Sequence, residues 1–225
     1  MLPYYIYKLI TKFIRPFIAF YILIRISKGK EDRARIAERY GTSDVERKKG
    51  KVIWFHAASI GESLSILPLL SKLNSDKSID QIILTTGTLT SANILKSKLS
   101  KKTIHQYIPF DIPSYVNKFL NHWNPSLAVF VESEIWPNFL TELKKRNINS
   151  LIVNGRMTIK SFKRWSILSG LSKRLFSIFS ACCTQKSDSA FFYEKLGIKN
   201  TINTGNLKFA YKPDEIMSDL SLIHI

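Results

Sequence analysis

Three acids and two cations occupy positions that a parallel α/β sheet would bring to one edge. Glu62 closes the stretch HAASIGE at 56–62, Glu132 and Glu134 lie in ESEIWPN at 132–138, Arg156 ends VNGR at 153–156, and Lys208 lies in TGNLKF at 204–209. A carboxylate at the mouth of a small-residue turn is either a charge suited to a helix start or a general base. The residues alone leave both open. Ser59 and Gly61 in that turn allow tight bending and close approach of a ligand to free helix-start N–H groups. Extended alternation would aim Glu132 and Glu134 the same way, unless a helix begins at once, for which Pro137 suits the first turn. Arg156 is a natural anion clamp, and Asn206 and Lys208 share a second small turn. Thr85, Thr86, Gly87 and Thr88 offer either a cradle for phosphate or sugar, with Thr86 at its centre, or a hydroxyl N-cap for the next helix. His56, at the edge of the first turn, either touches a ligand or serves the fold. The four histidines are scattered without metal spacing.

These groups meet only if the chain forms the right sheet. Apolar runs suited to buried strands lie at 52–56, 81–86, 104–108, 127–131, 150–154 and 181–184, with a last alternating piece at 201–204. Helical patterns separate them at 62–73, 90–99, 112–121, 135–147, 158–179 and 186–196. Continuous Val/Ile/Leu strands alternating with helices imply an α/β, Rossmann-like, doubly wound parallel sheet, whose ligands sit at the carboxyl ends of the strands. Pro68 should kink or shorten the first helix. Cys182 and Cys183, the two cysteines of the chain, fall in an apolar run and suit buried strand positions in a reducing compartment. Neither a G-x-G-x-x-G turn nor a P-loop follows the first strand, which removes most weight from dinucleotide and P-loop nucleotide binding.

The 225-residue chain carries a formal charge of +17, which asks for an anionic partner. The basic residues are zoned, one zone lying in 1–49 and another, free of acids, in 156–186. Residues 4–26 are aromatic and apolar, with Lys8, Lys12 and Arg15 at i, i+4, i+7 on one helical face. The longest uncharged run there is too short to span a bilayer, so the pattern reads as a helix lying in an anionic membrane surface. A signal-anchor lengthened by snorkelling lysines is the competing reading. Residues 27–51 read as a charged linker or a short surface helix. Lipid and phosphorylated substrates remain open at this point. A nucleic-acid partner rests on charge alone, without a recognisable reading motif.

HAASIGE, TTGTLTS (85–91), IPFDIPSYVNKFLNHWNP (108–125), ESEIWPN, VNGR and TGNLKF occur in an order and spacing that resembles the N-terminal half of bacterial 3-deoxy-D-manno-octulosonic acid (Kdo) transferases. The resemblance covers nearly all of residues 1–212. It implies the N-terminal, acceptor-side domain of a GT-B glycosyltransferase at 52–212, a membrane anchor at 1–28, a basic linker at 29–51 and a tail at 213–225. It further implies transfer of Kdo from CMP-Kdo to a lipid A precursor at the cytoplasmic face of the inner membrane, without metal or other cofactor and without nucleic acid. Glu62 would match the general base. Ser59, Gly61, Thr86, Glu132, Glu134, Arg156, Asn206 and Lys208 would bind substrate. Two departures stand out. Ala210 replaces an aspartate common in relatives after L-K-F, and the C-terminal donor domain is absent from the chain. A truncated product with little activity alone is therefore expected, and a non-catalytic, membrane-bound lipid A-binding module is the alternative.

Overall fold

A computed structural model describes residues 2–210. The expected tail at 213–225 lies outside the described residues. Helix α1 (Leu2–Ser27) and a 3-10 helix (Arg33–Tyr40) precede the sheet domain. The chain then runs β1 (Val52–His56), α2 (Ile60–Ser65), α3 (Leu67–Ser75), β2 (Gln81–Thr86), α4 (Leu89–Leu95), β3 (Thr103–Tyr107), α5 (Pro113–Trp123), β4 (Leu127–Val131) and α6 (Pro137–Lys145). It continues through β5 (Asn149–Gly155), α7 (Ile159–Ile167), α8 (Ser169–Phe176), β6 (Phe179–Thr184), α9 (Ser187–Leu196), β7 (Thr201–Asn203) and a closing 3-10 turn, Leu207–Ala210. The seven strands form one parallel sheet in the order β3-β2-β1-β4-β5-β6-β7. The Rossmann-like reading stands, and the strand expected at 201–204 joins the sheet beside β6.

Strand β1 is buried along its whole length because helices cover both faces of the sheet. Trp54 nests against Phe119, Phe130 and Phe139 on one side, with ring centroids 4.9, 5.3 and 5.1 Å away. Phe55 faces the other cluster, with Ile66, Leu70 and Leu84. Cys182 is buried and Cys183 half-buried in β6. Pro68 does more than kink its helix. The pattern at 62–73 divides at Ile66 into α2 and α3, because a proline at the start of α3 has no N–H to continue α2. The long pattern at 158–179 likewise divides, at Leu168, into α7 and α8.

The charged stretch after α1 is not an open linker. Its 3-10 helix packs on the sheet, and Arg39 is buried. That guanidinium bonds Glu31 at 3.0 Å and the carbonyls of Gly87 and Ile108 at 2.8 and 3.2 Å. Helix α1 is docked along one side. Ile18 and Ile22 pack with Ile112 and Tyr115, Tyr7 donates to Asp111 at 2.9 Å, and Asn138 donates to Thr11 at 3.1 Å. The opposite side exposes Ile6, Leu9, Ile10, Phe13, Phe17, Phe20 and Ile24. Among the described residues no helix is long and apolar enough to cross a membrane.

Asp111 ties these layers together. Its carboxylate also accepts the N–H groups of Asn138 and Phe139, at 3.0 Å each, in the first turn of α6. Burial pushes its pKa from 3.8 up to about 6, the hydrogen bonds recovering only part of the cost. An acid whose pKa is raised by folding binds its proton more tightly in the folded state. Its contribution therefore falls as pH rises from about 4 to about 6 and is constant above that. Wild-type protein should lose about 3 kcal/mol across this window relative to Asp111→Asn. Denaturant unfolding of both proteins at pH 4, 5, 6 and 7 measures the difference, and parallel pH profiles would refute it.

Candidate functional site

Strand order reverses between β1 and β4, so the loops leaving these neighbours diverge and open a crevice at their carboxyl ends. The loop after β1 supplies Ala58, Ser59 and Glu62, and the loop after β4 supplies Glu132, Glu134 and Trp136.

Ser59 is the N-cap of α2. Its hydroxyl accepts the Glu62 N–H at 3.3 Å and donates to Glu62 Oε1 at 2.8 Å. The other oxygen, Oε2, accepts the Ala58 N–H at 2.8 Å. This is a variant of the capping box, in which the third helical residue reaches back to the N–H of Ala58, one residue before the N-cap. The two readings of Glu62 left open by the sequence are thus compatible: the side chain caps the helix, and it stands at the crevice. Glu62 is 8% exposed. Burial raises its pKa, the bonds from Ser59 and Ala58 oppose that, and the charges of Glu134 and Glu132 add to it.

The two other acids reach the same rim by a turn, and not by strand alternation. Strand β4 ends at Val131, and Glu132 adopts a left-handed backbone with φ 60°. Its N–H still donates to the Val153 carbonyl at 3.0 Å, and its own carbonyl receives the Tyr193 hydroxyl at 3.1 Å. These bonds hold a conformation that a non-glycine residue seldom adopts. Glu132 Oε1 lies 3.1 Å from Lys208 Nζ, an ion-pair contact without hydrogen-bond alignment. Glu134 Oε2 accepts Trp136 Nε1 at 2.9 Å and stands 3.6 Å from His56 Nε2. Burial raises the Glu134 pKa, but His56 and Trp136 outweigh it, and the net shift is downward.

Lys208 is placed by β5. Asn154, buried with φ 54°, accepts the Leu207 N–H at 3.0 Å and so seats the closing 3-10 turn over α2. Gly61 leaves that face of α2 open: a Cβ there would stand 3.8 Å from Lys208 Nζ. Asn206 shapes this turn, its side chain accepting the Lys208 N–H at 3.0 Å.

Two expected site residues are not brought to the crevice. Thr86 is buried with its hydroxyl 2.9 Å from His105 Nε2, so it contributes to the sheet edge from behind. The N-cap in its motif is Thr88. Arg156 is exposed and lines a separate hollow of about 210 Å³ with Thr158, Gln185 and Lys186.

A cavity of about 270 Å³ opens beside the rim, walled by His56, Ala58, Gly87, Phe110 and Trp136 from the sheet domain and by Tyr21 and Arg25 from α1. Glu31 sits between Arg25 and Arg39 at 2.6 and 3.0 Å, leaving one net positive charge on that wall. The contributions of α1 and of Arg39 escaped the sequence reading, because nothing in a charged linker pattern shows which cation will turn inward. Trp136 belongs to the ESEIWPN motif, where its nearness to Glu134 in sequence is the available signal. Among the described residues no group of three His, Cys, Asp or Glu side chains is placed to hold a metal ion.

Residues 34–211 match the family model described as 3-deoxy-D-manno-octulosonic-acid transferase (kdotransferase). The chain is 39% identical to the 3-deoxy-D-manno-octulosonic acid transferase of Rickettsia bellii, over 84% of this chain and 45% of that protein. It is 36% identical to the probable mitochondrial 3-deoxy-D-manno-octulosonic acid transferase of Arabidopsis thaliana, over 79% of this chain and 40% of that one. With the Haemophilus influenzae transferase the identity is 32%, over 87% and 46%. The chain spans about half the length of the curated relatives it matches.

The electrostatics of the rim can be measured directly. Carbon-detected NMR of the Glu62 carboxyl should show titration above the usual glutamate range. Lys208→Met, which removes the cation of the acidic cluster, should move it further upward. A Glu62 titration at or below the usual range would contradict this arrangement.

Proposed function

The chain belongs to the 3-deoxy-D-manno-octulosonic-acid (Kdo) transferase family, and we propose that it forms the acceptor-binding half of such an enzyme, transferring Kdo from CMP-Kdo to a lipid A precursor in lipopolysaccharide biosynthesis. The observation that carries this reading is the division of the rim acids. Glu132 faces Lys208 and Glu134 faces His56, whereas Glu62 has no cation partner among the described residues and a raised pKa. Groups whose environments push their pKa values apart are suited to different tasks. Glu62 is the general base. It takes the proton of an acceptor sugar hydroxyl as that oxygen bonds to the anomeric carbon of Kdo, and the bond to CMP breaks with its electron pair leaving on the phosphate. Ser59 orients the base from its own N-cap position.

The acceptor sugar occupies the cavity between the rim and α1. Arg25 supplies positive charge on its wall, and Arg156 with the basic stretch beyond it takes outlying phosphates. No metal or other cofactor is part of this scheme. The apolar outer side of α1 lies in the membrane surface at the cytoplasmic face of the inner membrane, with the exposed Lys12 near anionic headgroups, whereas Arg15 packs over the Tyr115 ring on the docked side. A second reading, a non-catalytic lipid A-binding module, draws support from Glu62 itself, both of whose oxygens are engaged at the helix start.

Transfer assays separate the two. The chain would be joined to the C-terminal half of the Rickettsia bellii relative and given CMP-Kdo with lipid A precursor. Transfer should occur and should fall about 10²–10⁴-fold in Glu62→Gln. Full activity in that variant would remove the base assignment, and binding without transfer would favour the module. In a separate measurement, flotation with phosphatidylglycerol vesicles should lift the wild-type chain and leave the Phe13→Glu, Phe17→Glu double variant in the pellet. Equal flotation would rule out this face as the membrane contact.

A further inference from the structure

His56 Nε2 is buried and has no hydrogen-bond partner. The other ring nitrogen is committed. Nδ1 lies 3.0 Å from the Thr85 hydroxyl and 3.2 Å from the Thr85 carbonyl oxygen. Trp54 Nε1 donates to the same hydroxyl oxygen at 2.8 Å, and the Thr85 hydroxyl proton can go to Nδ1 or to the Phe55 carbonyl at 3.2 Å. Thr85 holds the Nδ1 edge of the ring in either tautomer.

That leaves Nε2 facing Glu134 Oε2 at 3.6 Å. A bare lone pair there would face a carboxylate, whereas an N–H would face it favourably, so the tautomer with its proton on Nε2 is the one that fits this contact. Glu134 also receives Trp136 Nε1, and the Trp136 ring stands edge-on to the imidazole with centroids 5.5 Å apart. His56 and Trp136 both line the 270 Å³ cavity. An unbroken chain of contacts thus runs from Trp54 in the core, through Thr85, His56 and Glu134, to an aromatic wall of the cavity.

We propose that His56 is a positioning residue of the acceptor site, which through an Nε2–H directed at Glu134 tethers that carboxylate, and through it the Trp136 ring, to the end of β2. The inference rests on the reading of the rim as an acceptor site and names what fixes its shape. The ligand class is a neutral pyranose face against the Trp136 ring. A cavity of about 270 Å³, just below the usual range of about 300–1,000 Å³, accommodates one ring better than a whole glycolipid. The charged groups facing this wall are Glu62, Glu132 and Glu134 with Lys208 on the rim, and Arg25, Glu31 and Arg39 across the cavity.

Two substitutions divide the functions of the two nitrogens. His56→Asn places an amide near the position of Nδ1 and abandons Glu134, whereas His56→Gln can extend an amide N–H to the position of Nε2. The readouts are the Trp136 indole signal in a ¹H–¹⁵N spectrum, identified by its loss in Trp136→Phe, and binding of tetraacyl lipid A precursor in detergent micelles. His56→Asn should shift the indole signal and weaken binding about tenfold, as expected for one lost charge-assisted contact. His56→Gln should restore both in large part. In the wild-type chain Nε2 of His56 should give a protonated-type ¹⁵N shift, a test that needs no folded variant. A bare-nitrogen shift at Nε2, or equal behaviour of the Asn and Gln variants, would overturn the proposal. Failure of the wild-type chain to bind the precursor would instead sink the acceptor reading. The indole and imidazole signals tell the two failures apart, because they report the tether without ligand.

Discussion

Parallel pairing governs this molecule. Each strand must be followed by a crossover that returns the chain to the opposite edge before the next strand begins, so every strand-to-helix turn emerges on the same side. Glu62, Glu132, Asn154 and Lys208, far apart in sequence, become neighbours for that reason alone. The reversal of strand order between β1 and β4 adds the crevice, since the turns leaving these adjacent strands diverge. Fully buried strands are required for this, and the Trp54 nest with the opposing Phe55 cluster meets that requirement on both faces of β1.

Within the rim, electrostatics divides the work among three like charges. Carboxylates this close oppose one another's ionisation, and the structure resolves the conflict unequally. Lys208 stands by Glu132, and His56 stands by Glu134. Glu62 keeps only the hydrogen bonds of its own helix start. The capping box fixes its rotamer and leaves its charge state responsive to its neighbours. The left-handed turns at Glu132 and Asn154 are the backbone cost of this placement, held by the bonds of Val153, Tyr193 and Leu207.

Helix α1 contributes in two ways. One side docks through Tyr7, Thr11, Ile18 and Ile22, and its C-terminal part brings Tyr21 and Arg25 to the cavity wall. The other side is a continuous apolar surface. A ligand with a sugar head and acyl tails would meet both features of one helix at once, the cavity with its head and the apolar side with its surroundings.

The sequence alone determined the sheet and its edge. Periodicity distinguishes buried strands from amphipathic helices because side-chain burial repeats with backbone geometry, and strands such as 52–56, 81–86 and 127–131 coincide with those observed. It also placed Glu62, Glu132, Glu134 and Lys208 on the functional edge, since parallel topology assigns every strand-end turn there. Helix breaks were only half legible: Pro68 announced one, but the division at Leu168 carries no comparable signal. What the tertiary structure decided is which of these groups face each other. Thr86 and Arg156 belong to the same edge in sequence terms, yet one hydroxyl turns inward to His105 and one guanidinium opens onto a different hollow. Conversely, Arg39 left a charged stretch to be buried beside Glu31. The physical reason is that side-chain direction at a strand end depends on one or two backbone dihedrals, as at Glu132 and Asn154, and these are set by long-range bonds that no local pattern encodes.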